Sequence, residues 1–267
     1  MARLVIGTNK AATTPAVVRD KSPEYYLEYA VTNGVLDHSA TGAMINLTGV
    51  TTIGDYVLYR AFKNNQNITT VDMSGITSLG EYALGYCFSG SSITELDLSG
   101  ITQTSNYKYE LEGICSDCSN LTTVKLDNLR QVGSYGLRDS FYRSSNLTTV
   151  NLDLLETVYG ENAMRSTFYG THITTMNFVS LKKIDGYNAM GECFANCSYL
   201  TSLYFPSLLA AQCFNEYTDC FDNMLNRTSN VTLHFPSNFS SIIPNLDGYP
   251  NFGGTNTTIL YDLPATA

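Results

Sequence analysis

Apolar residues recur along the chain in a phrase of the form [LIV]-T-x-[VLM]-x-[LMF], starting at Ile68, Leu121, Leu147, Ile173 and Leu200, with Ile93 opening the variant ITELDL. Successive starts lie 25 to 28 residues apart. In NLTTVNLDLL the alternation turns Leu147, Val150 and Leu152 to one side and Thr149 and Asn151 to the other, the period-two pattern of a short strand with one buried face. The same register can be followed outward in both directions. INLTGVTTIG from Ile45 aligns with VDMSGITSLG from Val71, and VTLHFP near residue 231 aligns with the stretch ending YFP at Pro206, giving about eight units.

Each unit carries a second phrase, [ILV]-G-x-Y-x-[LM]-x-x-x-F, as in IGDYVLYRAF, LGEYALGYCF and VGSYGLRDSF; the copies at Val158 and Ile184 have one extra residue before Gly160 and Gly186. Here the spacing is different. Leu84, Cys87 and Phe88, like Leu137, Ser140 and Phe141, stand at i, i+3, i+4, which predicts one face of a short helical turn. Gly54, Gly80, Gly133, Gly160 and Gly186 are then expected to supply the positive φ of a sharp entry into that turn. Neither half can bury its apolar side alone. Stacking successive units at roughly 4.8 Å, one strand spacing, joins them into a single core. The fold expected is an α/β repeat solenoid of short strands and short helical turns. It has three parts: a capping or docking segment at 1–41, the array at 42–236 and a C-terminal cap at 237–267.

These residues resemble the BspA-type branch of the leucine-rich repeats, whose phrase reads close to L-T-x-[IV]-x-[LIF]-P…[VI]-x-x-I-G-x-x-A-F-x-x-C. CFANCSYLTSLYFPSLL, residues 193–209, is the nearest copy, and the resemblance covers roughly residues 42–236. The tail DGYPNFGGTNTTILYDLP from Asp247 is similar to the terminal cap of such arrays. One unit departs from the pattern: after Ile101 the chain reads TQTSNYKYELEGICSDC with no G-x-Y, and an irregular coil is expected there.

Composition narrows the function classes. The 267 residues carry a net charge of −9, which opposes binding to a phosphate backbone or an anionic lipid surface. The N-terminus MARLVIGTNK lacks the apolar core of a secretory signal, and no segment approaches the ~18 apolar residues of a membrane span. On that reading the chain is expected to be made in the cytoplasm and to insert in no membrane. Of the nine N-x-[ST] sequons four fall on the repeating N-[LI]-T phrase, at Asn46, Asn67, Asn120 and Asn146, and the set is read as structural.

Candidate chemistry is sparse. Three histidines, His38, His172 and His234, stand beside no nucleophile or paired carboxylates, so no catalytic residue and no cofactor is expected. Seven cysteines, an odd number, suggest reduced thiols; Cys87, Cys193 and Cys220 share a slot with Ala61, Ser140 and Thr167, and Cys118 and Cys197 share one with Ser144 and Gly170. Exchange with small, unrelated residues is what packing permits and a metal site does not, so no metal is expected. Tyr56, Tyr82, Tyr135 and Tyr187 are read as rings packed between coils, while Tyr107, Tyr109, Tyr142 and Tyr169 stand outside the repeat pattern and are freer to bind.

The outward strand positions form two ladders: Thr70, Glu95, Thr123, Thr149, Thr175 and Ser202, and beside them Asp72, Asp97, Lys125, Asn151, Asn177 and Tyr204. Small hydroxyl and amide groups on an extended face suit a glycan or a polar protein surface. The leader (VIGTNK…TPAVV), besides, resembles segments at the start of some bacteriophage virion proteins of gut bacteria. Together these predict a non-catalytic virion protein. Residues 1–41 would dock it to other virion proteins and the array would attach to host-surface glycan or protein; assembly with further copies of itself is left open. A bacterial cell-surface adhesin of the BspA type is the alternative, and an enzyme a distant third.

Overall fold

The computed structural model describes residues 3–5, 43–46, 51–106, 108–211, 220–239 and 252–266. Among them sixteen short strands follow one another: β1 (Arg3–Val5), β2 (Ala43–Asn46), β3 (Thr52–Ile53), β4 (Ile68–Asp72), β5 (Ser78–Leu79), β6 (Glu95–Asp97), β7 (Thr123–Lys125), β8 (Gln131–Val132), β9 (Thr149–Asn151), β10 (Thr157–Tyr159), β11 (Thr175–Asn177), β12 (Lys183–Asp185), β13 (Ser202–Tyr204), β14 (Ala210–Ala211), β15 (Thr232–Pro236) and β16 (Thr258–Leu263). Every pairing between these strands is parallel, because each coil returns to the same side before the next begins.

The strands of the first phrase make the front of the solenoid, in two sheets ordered β1-β2-β4-β6-β7-β9 and β11-β13-β15-β16. Those at the start of the second phrase make the back, as β3-β5 and β8-β10-β12-β14. The two sides break at different levels. The front opens between β9 and β11, where the back runs on from β10 to β12; the back is interrupted at the coil with TQTSNYK, where one bridge, Gln103 to Gln131, replaces a strand pair while β6 and β7 stay joined in front. One side therefore always holds neighbouring coils in register. Apart from Arg3–Val5, the capping or docking segment expected at 1–41 lies outside the described residues.

The third side of each coil corrects the expectation of helical turns, for no α-helix occurs among the described residues. Alternate backbone amides point along and across the coil. The N–H groups of Tyr56, Leu58, Arg60, Phe62 and Asn64 donate to carbonyls of the next coil, Glu81, Ala83, Gly85, Cys87 and Ser89, at 2.7–3.0 Å, while those of Tyr59, Ala61, Lys63 and Asn65 donate three residues back at 3.0–3.1 Å. The element is thus a ladder of linked β-turns. Residues with left-handed φ fall every fourth position, at Tyr56 (60°), Arg60 (55°) and Asn64 (60°), as a turn with positive φ at its third residue requires. A period of four puts Leu84, Cys87 and Phe88 on the buried side as an i, i+3, i+4 helix would, which is why the spacing misled.

The glycines also play a different part from the one expected. Gly160 and Gly186 do have positive φ, but at the corner after Gly54, Gly80 and Gly133 the tyrosine two residues on takes that conformation instead. Gly133 is needed for closeness, since a Cβ there would stand 2.8 Å from the Ser105 backbone of the coil below.

The core is one continuous stack. Phe62 lies on Phe88 at 5.5 Å, Phe141 on Phe168 at 5.8 Å and Phe168 on Phe194 at 5.4 Å, with a second column from Phe178 through Phe205 to Phe235 at 5.1 Å per step. Ring faces offset in this way bury apolar area and keep the repeat distance. Cys115 fills the phenylalanine position between Phe88 and Phe141, and all three are fully buried.

Candidate functional site

The strand register brings the sequence-derived ladder residues together as two rows on the front. Thr70 pairs with Glu95, Glu95 with Thr123 and Thr123 with Thr149; beside them Asp72 pairs with Asp97, Asp97 with Lys125 and Lys125 with Asn151. After the opening the rows resume, with Thr175 on Ser202 and Asn177 on Tyr204. Thr149 and Thr175, and Asn151 and Asn177, face across it without ladder bonds. Glu95, Thr123, Lys125, Thr149, Asn151, Thr175 and Asn177 are exposed, and Thr70, Asp97, Ser202 and Tyr204 half-buried.

The threonines one place earlier explain the N-[LI]-T phrase. Thr94 donates its hydroxyl to the Thr69 carbonyl at 2.8 Å, Thr122 to Thr94 at 3.1 Å and Thr201 to Thr174 at 3.0 Å, so they tie coil to coil and leave the next position free for contact. Within the second row Lys125 Nζ lies 2.8 Å from Asp97. Partial burial pushes the Asp97 carboxyl up, but the Lys125 ammonium and the Ser99 hydroxyl and amide outweigh it and hold the group below the usual range.

Two front residues were missed by the ladder reading. His234 continues the second row beyond Tyr204, its ring stacked 4.2 Å from that tyrosine, and its Nδ1 lies 2.9 Å from Asp262 on the last strand. The signal was present in VTLHFP, whose alignment with LYFP puts His234 opposite Tyr204. His172 packs beside Tyr199 at 4.4 Å, and His38 lies outside the described residues.

The tyrosines are redistributed. Tyr56, Tyr82, Tyr109 and Tyr135 stack in one row with ring centroids 5.1, 4.7 and 4.6 Å apart, so Tyr109 belongs to the repeat corner although its coil lacks the G-x-Y phrase. Tyr187 does not pack as expected: it is 47% exposed, because the extra residue in its unit gives the corner to Asn188. Tyr142 and Tyr169 stack at 4.6 Å, and Tyr107 lies outside the described residues.

The small slot is satisfied by hydrogen bonds to the buried side, and it holds Thr171, not Gly170 as the alignment suggested, because Gly170 lies one place earlier, opposite Arg143. Cys118 Sγ donates to the Phe88 carbonyl at 2.9 Å, Ser144 Oγ to Cys115 at 2.6 Å, Cys197 Sγ to Phe168 at 3.0 Å and Thr228 Oγ1 to Phe194 at 2.8 Å. Cys115-x-x-Cys118 is therefore two neighbouring slots of the repeat. Burial pushes the Cys87, Cys115, Cys193 and Cys197 thiols up, away from the thiolate a nucleophile or metal ligand needs. Cys87, Cys115, Cys118, Cys193 and Cys197 are free, and Cys220 is disulfide-bonded, which corrects the expectation of seven reduced thiols. No cluster of three or more metal-ligating side chains occurs among the described residues.

The family comparison agrees with the repeat pattern. The profile of the BspA type leucine-rich repeat region matches residues 43–163 and 116–246, in 6 copies. No curated protein matches. Among solved structures, a leucine-rich repeat protein from Bacteroides ovatus aligns at 17% identity and a TM-score of 0.39, over 81% of this chain and 54% of that one. The chain thus spans about half the length of that protein.

Proposed function

The chain belongs to the BspA-type leucine-rich repeat family, and from that premise we propose that it is a non-catalytic binding protein of the adhesin kind, acting at a cell surface through the front of its solenoid. The carrying observation is the pair of outward rows, Thr123 to Thr149 and Lys125 to Asn151 with their neighbours. They are fixed in register by the core beneath them and present hydroxyl, amide and carboxylate groups to solvent. Such a rigid polar face has little to lose in ordering when it meets a glycan or a polar protein surface. The virion reading rests on the leader resemblance alone; apart from Arg3–Val5 that segment lies outside the described residues, and the family match supports the adhesin instead.

The test is binding of the full chain to a printed array of host glycans and to immobilised serum proteins, alongside a Thr149→Tyr and Asn151→Tyr variant. Tyr204 already stands in the second row, so the bulkier rings are compatible with the strand and obstruct only what lies above it. The variant should melt as the wild type does and lose about tenfold or more in binding. Equal binding by both proteins would overturn the strand-face reading.

A further inference from the structure

We propose that the turn side of the coils around residues 56–138 holds a second site, for an acidic saccharide, built from Arg60 and Lys63 seated on a ledge of tyrosines. This goes beyond the strand-face reading and stands or falls independently of it.

The first support is the distribution of charge. Lys125, Arg130, Arg138, Arg143, Arg165, Lys182 and Lys183 each lie within 4 Å of a carboxylate. Among the described residues Arg60, Lys63, Lys108 and Arg227 make no ion pair. Three of those four border the tyrosine row, and all three are exposed. Arg60 acts on the Glu112 carboxyl and Lys108 on that of Glu110 at longer range, but neither is held at ion-pair distance, so in a chain of net charge −9 these exposed cations keep their outer donors for an anion.

The second support is pre-organisation. The Arg60 guanidinium lies 4.9 Å from the Tyr59 ring centre and 5.5 Å from that of Tyr86, and Lys63 Nζ lies 5.9 Å from Tyr86. Tyr59 is itself held edge-on by Tyr56 and Tyr82, at 5.9 and 5.5 Å, and Tyr86 packs against Gly113, where a Cβ would collide with the ring. The rings fix the cations on one side and leave their outer donors free, so little side-chain freedom is lost when an anion binds. The tyrosines that supply this ledge occupy left-handed φ at Tyr56, Tyr82, Tyr86, Tyr109 and Tyr135, a conformation costly for bulky residues and held here by the stacking.

The surroundings select the class of anion. Tyr56 donates to Glu81 at 2.8 Å, which leaves the other lone pairs of that carboxylate and the Tyr56 phenol oxygen for hydroxyl-bearing ligands, while Tyr135 donates to Glu161 at 2.5 Å. Those same carboxylates repel a dense polyanion such as a phosphate backbone. A saccharide with about one carboxylate or sulfate per ring meets both features, the acid on Arg60 and Lys63 and the hydroxyls along the tyrosine row. The ring faces are taken up by one another, so contact is through edges and hydroxyls.

The experiment uses the full chain and three probes: an oligogalacturonide, its neutral methyl ester, and chondroitin sulfate. Titration calorimetry on the wild type should show binding of one or both acidic probes and none of the ester, and binding of chondroitin sulfate without binding of the oligogalacturonide would assign the contact to sulfate. Arg60→Gln with Lys63→Gln should lose about tenfold or more, the effect of removing two charge-assisted contacts. Lys182→Gln with Lys183→Gln removes the same charge from residues paired to Glu156 and Asp185 and should keep affinity within about twofold. Equal binding of the ester, equal loss in both double variants, or no binding of either acid overturns the proposal. Unchanged melting of the Arg60 and Lys63 variant separates lost contact from lost fold.

Discussion

At the scale of single residues the repeat tolerates costs that an isolated turn would not. Arg143 has φ 56° in the slot held by Gly90 and Gly170 in other coils, each at φ 67°. A side chain in the left-handed region costs roughly 1–2 kcal/mol, and glycine gives back about 0.5–1 through unfolded-chain entropy. The Arg143 to Asp117 contact, 3.8 Å between exposed groups, adds little. Arg143→Gly should therefore be unchanged to about 1 kcal/mol more stable in urea unfolding, whereas Phe141→Ala, two residues away and fully buried, should lose about 3–5 kcal/mol. A loss of about 2 kcal/mol or more at Arg143 would mean that the left-handed slot is not what the glycines share.

At the scale of elements the opening between β9 and β11 changes what an inward strand position means. Val124, between β6 and β9, is 4% exposed; Val150, at the same height on β9, is half-buried because no ladder continues on its far side. An aspartate replacing Val124 buries a carboxylate without a partner and should cost several kcal/mol, on the order of 3–5. At Val150 water reaches the new group through the opening, and the loss should be about 1–3 kcal/mol; at Asn151, one place along and outward, about 0.5 or less. Thermal melts of the three variants give the order, and equal losses at Val124 and Val150 would show that the front sheet is closed in solution.

At the scale of the molecule, groups with opposite shifts fix how stability varies with pH. Burial pushes the Glu110, Glu112 and Asp139 carboxyls up, with Ser105 opposing it at Glu110, Arg138 at Glu112, and Arg138 and Arg165 at Asp139. A carboxyl whose folded pKa is raised binds a proton more readily in the folded state, so stability falls as pH rises from the ordinary value through the raised one. Asp97, and Glu156 held down by Arg130 and Lys182, act the other way: their contribution is present above the ordinary pKa and is lost as pH falls through the lowered one. The melting temperature should peak at mildly acidic pH. Glu112→Gln should flatten the decline on the alkaline side of the ordinary carboxylate range; a decline of unchanged slope would assign it to the net charge alone.

The sequence by itself determined the period, the inward and outward sides of each strand and the register of the rows, because a repeat is stable only when each copy lays its apolar side on the same side of the next. Thr123 over Thr149 and Asn177 over Tyr204 follow from alignment of the phrases, and so does the family. What only the tertiary structure decided is the conformation of the second phrase. Its buried spacing fits a helical turn and a ladder of β-turns equally, and the choice is made by amides such as those of Leu58 and Phe62, which reach carbonyls of the next coil, a bond that a helix keeps within itself. The same holds for Tyr109, brought into the tyrosine row by stacking although its coil lacks the phrase, and for Arg60 and Lys63, whose seat on Tyr86 joins residues of two coils that are far apart in the chain. Contacts between coils are set by how the coils stack, and one unit read alone carries no record of them.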